Sequence, residues 1–239
     1  MGTSHMGGTM ILTRNEPFED ELLQEMYQAM FDPDRIQPSV TGMIYCLTKT
    51  YWNNTLTATG LPPASRRTLL LMATGLGLEK VMLSGRQNAT LGVTDGISWH
   101  TDHVGSSKDD FIEFKSTRIS TKRADPLSKG WKKQILAYFK AENLTSGKVV
   151  LLHILGPDGG GAPFPDIRAY DIQSTQDEVD TNWQWILNRA SIYAEAISTQ
   201  TPPTPFVYNM DWECKECVWL EVCKSNSKLP SLTGSSREL

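Results

Sequence analysis

Three charged side chains interrupt apolar, strand-like stretches in the middle of the chain: Asp95, Glu113 and Lys115. A charge in such a stretch is costly unless it is paired or binds a metal. Glu113 and Lys115 are two residues apart, so on a strand their side chains point to the same side, whereas Phe114 points to the other. Asp95 lies on the preceding predicted strand and is expected to reach the same place.

Two carboxylates with a backbone carbonyl form the hard oxygen site that suits Mg²⁺ or Mn²⁺. Such a metal polarises a phosphoryl oxygen and supplies a hydroxide nucleophile, and a lysine beside it orients or deprotonates the water. The pattern D…E-x-K therefore predicts a metal site made by Asp95, Glu113 and the main chain of Phe114, with Lys115 as its catalytic partner. A surface salt bridge between Glu113 and Lys115 is the alternative.

Gln134 and Tyr138 lie four residues apart on the next predicted helix and therefore share one of its faces. That helix follows the E-x-K strand directly and can pack across the site. The loop before that strand carries His100, Asp102 and His103, which could form a second metal site but have no further partner in the sequence.

A basic stripe lies beside the predicted site, although the formal net charge of the chain is -4. From Lys115 to Lys140 inclusive, eight residues are basic and only Asp125 is acidic. Such a stripe indicates a polyanionic substrate, with a solvated helix face as the alternative. The candidate DNA-binding residues are Arg118, Lys122, Arg123, Lys129, Lys132 and Lys133.

The four cysteines form a second constellation. Cys214, Cys217 and Cys223 follow a C-x2-C-x5-C spacing, and Cys46 stands far upstream on the second predicted helix. Three cysteines so close together fit a metal or cluster site better than disulfides, and thiolates suit iron–sulfur clusters or zinc. Zinc ribbons usually use two close pairs of ligands, for which this arrangement is unusual.

The periodicity of apolar residues predicts an alternation of helices and strands. Helices are predicted over residues 17–31, 39–53, 63–83, 127–143 and 175–198. Strands are predicted over residues 89–99, 110–118, 148–155 and 167–172, the first two as antiparallel partners. Glycines at positions 75 and 77 indicate a close backbone approach or a kink in the third helix.

This order predicts one integrated mixed α/β domain. It would comprise an N-terminal helical region over residues 10–88, a core over residues 89–199 and a C-terminal cysteine segment over residues 200–239. Residues 1–9 are typical of an expression-tag remnant and are left out of the fold prediction. No apolar run approaches the roughly 20 residues that span a bilayer.

Three motifs in order resemble the signature of the RecB-like PD-(D/E)XK nucleases: G-V-x-D ending at Asp95, E-x-K at residues 113–115 and Q-x-x-x-Y at residues 134–138. The resemblance implies a restriction-endonuclease-like core, in which a mixed central sheet is flanked by helices. It also implies an upstream helical residue, often a histidine four positions after a glycine. Glu79 stands four positions after Gly75 here and is expected as a third metal ligand, with a surface glutamate as the alternative.

The stretch C-L-T-K-T-Y-W that begins at Cys46, together with the terminal cysteine trio, resembles the CRISPR-associated type-four exonucleases. The resemblance implies a [4Fe-4S] cluster held by Cys46, Cys214, Cys217 and Cys223 in a helical cap formed by both chain ends. It implies single-strand DNA exonuclease activity, with or without endonuclease activity, in CRISPR spacer acquisition or in DNA recombination and repair. The expected partners are DNA and the CRISPR integrase complex, and the expected location is cytoplasmic.

Two alternatives to an active nuclease stay open. One is a catalytically weak or inactive iron–sulfur protein on the same fold, acting as a DNA-binding adaptor or a redox sensor. The other is a structural zinc protein in which E-x-K occurs by chance.

Overall fold

The computed structural model describes residues 14–30, 38–56, 65–85, 89–105, 110–118, 120–122, 125–154, 165–204, 211–215 and 217–226. The chain divides into two compact units, Met1–Pro33 and Asp34–Leu239. This division falls inside the stretch that was predicted as the N-terminal helical region. Among the described helices, none is long and apolar enough to cross a membrane.

The first unit contributes one described helix, α1 (Glu16–Met30), which confirms the helix predicted over residues 17–31. Glu16 and Glu19 lie in its first turn, where acidic side chains interact favourably with the helix dipole. No residue of α1 is buried, and Phe18 and Leu22 are exposed.

A three-stranded mixed sheet lies in the second unit, in the order β3 (Ile112–Thr117), β4 (Ser146–His153), β5 (Asp166–Gln173). β4 runs parallel to β3, and β5 runs antiparallel to β4. Parallel strands need a crossover connection, which helix α5 (Lys129–Glu142) provides. The predicted mixed α/β class is therefore confirmed, as are these strands and this helix.

The stretch that was predicted as one strand over residues 89–99 is part of a separate antiparallel hairpin, β1 (Leu91–Thr94) and β2 (Ile97–His100). Asp95 and Gly96 form its two-residue turn, with φ angles of 49° and 78°. Asp-Gly is favoured in such turns because both positions need a positive φ. The predicted pairing of this stretch with β3 is wrong, because β1 and β2 pair with each other in a sheet separate from that of β3.

The helix predicted over residues 39–53 is divided into α2 (Val40–Ile44) and α3 (Leu47–Leu56), and Cys46 lies at the break. Ser39 caps α2 by accepting a hydrogen bond from the main chain of Gly42. The thiol of Cys46 is therefore held at a bend between two helices rather than on the side of one helix.

The break is stabilised by Arg189, which is buried and donates hydrogen bonds to the main-chain carbonyls of Met43 and Tyr45. Carbonyls in the last turn of a helix lack an intrahelical partner, so this guanidinium satisfies the end of α2. Arg189 belongs to α6 (Gln176–Thr199), which begins with a capping box of Thr175 and Glu178 and confirms the helix predicted over residues 175–198.

Helix α4 (Arg66–Met82) confirms the helix predicted over residues 63–83. A Cβ atom added at Gly75 would lie 3.3 Å from the Oγ of Ser116 on β3, whereas one added at Gly77 would meet nothing within 4 Å. The predicted close approach therefore occurs at Gly75, where α4 lies against β3. On the same side, Ile112 and Phe114 of β3 form a small buried cluster with Leu83.

The C-terminal segment contains two short helices, α7 (Asp211–Lys215) and α8 (Leu220–Asn226). Trp219 is buried in the main core, and its indole N–H donates to the Oδ1 of Asn53 at 2.6 Å. The main-chain N–H of Cys46 donates to the Oε2 of Glu213 at 2.9 Å. These contacts attach the C-terminal segment to α3 and to the break before it.

Candidate active site

The centre of the candidate site is the pair of Glu113 and Lys115 on β3, whose side chains are hydrogen-bonded to each other. Glu113 is 1% exposed, and the Nζ of Lys115 lies 2.5 Å from its Oε1. The two side chains share one side of the strand, as predicted. The Oε2 of Glu113 is also buried, and no donor among the described residues reaches it. A carboxylate oxygen in this position is left with an unused acceptor site in a place from which bulk water is excluded.

Asp102 is the second carboxylate of the site. Its Oδ2 accepts a hydrogen bond from the main-chain N–H of Phe114 at 2.7 Å, which fixes it beside the residue between Glu113 and Lys115. The chain holds it there because the next residue, His103, forms a β-bridge with Ile112 at the start of β3.

Glu79 is the third carboxylate. It lies one helical turn after Gly75, and therefore on the face of α4 that approaches β3. Its side chain is partly exposed. Burial and the neighbouring carboxylate of Asp102 raise the pKa of Glu79, which indicates that these two acidic groups lie near each other. The predicted role of Glu79 as a metal ligand stays a prediction.

The charges of the site are strongly coupled. Burial raises the pKa of Glu113 to about 8; the Lys115 ammonium opposes this rise, and the carboxylates of Asp102 and Glu79 add to it. Burial alone would lower the pKa of Lys115, but the carboxylates of Glu113 and Asp102 outweigh it and the pKa is raised. Lys115 is therefore a cation at neutral pH, and the site carries more acidic groups than this one cation balances.

Asp95 is not on a strand beside β3, which corrects that part of the sequence-based prediction. Its carboxylate lies in the hairpin turn and accepts a hydrogen bond from the indole N–H of Trp183 on α6 at 2.8 Å. The predicted role of Asp95 as a metal ligand stays a prediction. Asp102 takes the expected position, and its signal was present: once Asp-Gly is recognised as a hairpin turn, β2 leads directly into Asp102.

Gln134 and Tyr138 share a face of α5, as predicted. The Nε2 of Gln134 donates to the hydroxyl of Tyr138 at 2.8 Å, and both side chains are buried. Burial, followed by the carboxylate of Glu113, raises the pKa of Tyr138, while Lys115 opposes the rise. The phenol is therefore a neutral neighbour of the Glu113–Lys115 pair on the α5 side of β3.

The residues of the predicted basic stripe have different surroundings. Lys132 pairs with exposed Asp125 at 2.7 Å. Lys133 is partly buried, with its Nζ 3.9 Å from the centre of the Trp185 ring, and it approaches the Oδ1 of Asn182 at 3.4 Å. These two lysines therefore have intramolecular roles, which weakens their assignment as DNA contacts.

Of the other candidate DNA-binding residues, Arg118, Lys122 and Lys129 are exposed. Arg123 lies outside the described residues. A DNA-binding role for these four side chains stays a prediction.

The four cysteines converge from opposite ends of the second unit, and all are thiols rather than disulfides. Burial raises the pKa of the Cys223 thiol to about 11, and the thiols of Cys217, Cys46 and Cys214 add to the rise. This mutual electrostatic influence indicates that the trio and Cys46 are neighbours.

Both donor sets suit the groups that the sequence predicts for them. Four thiols match the ligands of an iron–sulfur cluster or zinc, and the buried Oε2 of Glu113 beside Asp102 matches a hard divalent cation. Within the described ranges, no three histidine, cysteine or carboxylate side chains form a group that could hold a metal ion as they stand. At Glu113 the cation in contact is the ammonium of Lys115.

Comparison with known proteins supports the fold and nothing finer. No family model matches the sequence, and no curated protein matches it. A crystal structure of SSO0001 is similar, with a TM-score of 0.57 and 21% sequence identity over 88% of this chain and 98% of that chain. At this level of identity the likeness concerns the fold alone.

Proposed function

We propose that this chain is a metal-dependent deoxyribonuclease with a RecB-like PD-(D/E)XK core, which hydrolyses phosphodiester bonds of DNA, preferentially in single strands. The observation that carries the proposal is the buried Glu113, which has one oxygen on Lys115 and the other without a donor. Burying such a carboxylate beside two other acidic side chains costs stability, and a catalytic cation site gives this arrangement a purpose.

In this proposal Glu113, Asp102 and Glu79 hold Mg²⁺ or Mn²⁺, together with the main-chain carbonyl of Phe114. When bound, the metal would supply Lewis-acid activation of the phosphodiester and of a water molecule. Lys115 acts as a cation, because its neighbouring carboxylates keep it protonated. It orients the scissile phosphate and stabilises negative charge that develops there, rather than accepting a proton from water.

The α5 side of the site positions Lys115. Tyr138 is buried and neutral, and Gln134 fixes its hydroxyl through a hydrogen bond at 2.8 Å. These two uncharged, hydrogen-bonded side chains limit the orientations of the Lys115 ammonium and keep water away from it. Precise placement of the catalytic cation lowers the cost of reaching the reactive geometry.

Cys46, Cys214, Cys217 and Cys223 would hold a [4Fe-4S] cluster in a cap made by the two ends of the second unit. The supporting observations are the thiol donor set and the contact between Cys46 and Glu213, next to Cys214. A cluster there would cross-link Cys46 to the C-terminal segment and so reduce the conformational entropy of the unfolded chain. We place the nuclease in CRISPR spacer acquisition or in DNA recombination and repair, with DNA and the CRISPR integrase complex as partners.

The test is a cleavage assay with end-labelled single- and double-stranded DNA in the presence of Mn²⁺, Mg²⁺ or a chelator. The parent protein should cut only with a divalent cation, and Lys115→Ala should lose cleavage. Lys148→Ala, which removes an exposed lysine from β4, serves as the matched control. DNA cleavage by Lys115→Ala at the parent rate would contradict the proposal, and binding of DNA without any cleavage would favour the adaptor.

The cluster has its own test. Anaerobically purified protein should contain iron and absorb visible light. A colourless protein that contains zinc and no iron would contradict the cluster while leaving the nuclease assignment open.

A further inference from the structure

An open groove lies along the first half of α4 and the end of β3. It has a volume of about 460 Å³ and is lined by Arg66, Arg67, Leu70, Leu71, Thr74 and Arg118.

The groove is carried by the same two elements as the candidate active site. Arg118 directly follows β3, three residues after Lys115, which corresponds to about 10 Å along an extended chain. On α4, Thr74 lines the groove and Glu79 lies about 7.5 Å further along the helix axis. The contact of Gly75 with Ser116 holds the two elements together between these points.

As far as the described residues show, the lining combines three arginines with two leucines and a threonine and has no acidic side chain. Guanidinium groups bind phosphates through paired hydrogen bonds, and apolar side chains can hold the faces of unstacked bases. Leu70 and Leu71 are 45% and 43% exposed, a large apolar area for a surface that also carries this much positive charge. A duplex keeps its base faces stacked, so this combination matches a single strand better.

Two of these arginines, Arg66 and Arg67, lie in the first turn of α4. Bound phosphates are favoured at a helix N-terminus, because the helix dipole places partial positive charge there.

We propose that this groove binds the sugar–phosphate backbone of a single DNA strand and directs it towards Glu113 and Lys115. The proposal rests on the proposed nuclease function and extends it by assigning the path of the substrate. Arg67 on α4 and Arg118 at the end of β3 hold phosphates, and Leu70 and Leu71 contact bases. Among the sequence-based DNA contacts that the structure describes, Arg118 is the one that lines this groove.

The experiment compares Arg67→Ala/Arg118→Ala with a matched control, Lys80→Ala/Lys148→Ala. Each double variant removes one cation from α4 and one from the sheet region, but only the first pair lines the groove. Binding of a fluorescent oligothymidylate is measured by anisotropy with chelator present, so that no cleavage occurs, at several salt concentrations. Melting temperatures of all proteins are compared to confirm that the variants fold.

The Arg67→Ala/Arg118→Ala protein should bind the oligothymidylate at least about tenfold more weakly, and its salt slope should fall by about 1.4, since each single-strand phosphate contact contributes about 0.7. The control should bind as the parent protein does. Equal affinity of the two double variants would overturn the proposal. A larger loss for duplex DNA than for the single strand would also overturn it, in favour of a duplex-binding groove.

A second readout separates the groove from the nuclease function. Hydrolysis of bis(p-nitrophenyl) phosphate with Mn²⁺ requires the active site but involves no strand long enough to fill the groove. Arg67→Ala/Arg118→Ala should hydrolyse this ester at the parent rate while degrading DNA more slowly. If the parent protein hydrolyses neither substrate, the proposed function fails, whereas the anisotropy data still decide whether the groove binds a strand.

Discussion

Replacing Glu113 by glutamine should change how the stability of the metal-free protein depends on pH. Burial raises the pKa of this carboxyl from 4.5 to about 8, so between these values the folded protein binds a proton that the unfolded chain does not. The wild-type free energy of unfolding should therefore fall as pH rises through this window, by up to about 1.4 kcal/mol per pH unit. Lys115 does not contribute to this pH dependence, because its raised pKa lies above this pH range.

Glutamine cannot titrate, so Glu113→Gln should lack this slope. The free energy of unfolding of the variant, relative to that of the wild type, should therefore increase by about 2 kcal/mol between about pH 6 and about pH 8. Urea unfolding, followed by tryptophan fluorescence under anaerobic conditions with a chelator, measures the difference. Asp171→Asn, which removes a carboxylate that is 86% exposed, controls for the loss of one negative charge.

A pH-independent difference between the wild type and Glu113→Gln would refute the reasoning. It would mean that the attraction of Lys115 overcomes burial and keeps Glu113 ionised throughout. Adding Mn²⁺ provides a further check, because a bound cation favours the ionised carboxylate. The slope of the wild type should then flatten, while Glu113→Gln should not respond.

Three further predictions follow from the geometry. Asp102→Asn should reduce divalent-dependent DNA cleavage by at least about 100-fold, whereas Asp95→Asn should retain most of the activity. Equal losses of activity in the two variants would indicate that Asp95 belongs to the active site. Gly77→Ala should raise the free energy of unfolding in urea by about 1 kcal/mol, whereas Gly75→Ala should raise it less because the added Cβ meets β3. Identical increases for the two variants would argue against the close approach of α4 to β3. Cys223→Ser should lose iron and visible absorbance, and unchanged iron content would remove this thiol from the ligand set.

The local pattern of the sequence was sufficient for most of the elements. The continuous apolar run around Val149 predicts a buried strand, and β4 confirms it. The apolar periodicity of residues 175–198 predicts α6, and the close approach at Gly75 follows from a glycine in an apolar helix. These features depend on interactions between residues that are near each other in the chain, which is why they can be recognised there.

The errors arose where distant residues decide the structure. The break at Cys46 depends on Arg189, which lies 146 positions from Met43. The choice between Asp95 and Asp102 depends on the bridge between His103 and Ile112, which places Asp102 beside β3. For the same reason residue type alone identified Glu113, Lys115 and the four cysteines, but not the geometry that brings Asp102 to the pair.

The groove at Arg67 and Arg118 shows the same limit. The basic stripe from Lys115 to Lys140 was chosen because its residues are close in sequence, and two of its lysines have intramolecular contacts instead. Arg67 lies far from the stripe in the chain, yet it shares a surface with Arg118 because α4 packs against β3. Basic residues on the surface therefore define a substrate path by their proximity in the folded protein and not by their proximity in the sequence.

Titration with Mn²⁺, monitored by electron paramagnetic resonance, most directly tests the claim that Glu113 and Asp102 form a metal site. The wild type and Asp95→Asn should bind a Mn²⁺ ion with the same affinity, and Glu113→Gln and Asp102→Asn should bind it at least about tenfold more weakly. Retention of the wild-type affinity by Glu113→Gln, or its loss in Asp95→Asn, would contradict the assignment of Glu113 and Asp102 as the metal site.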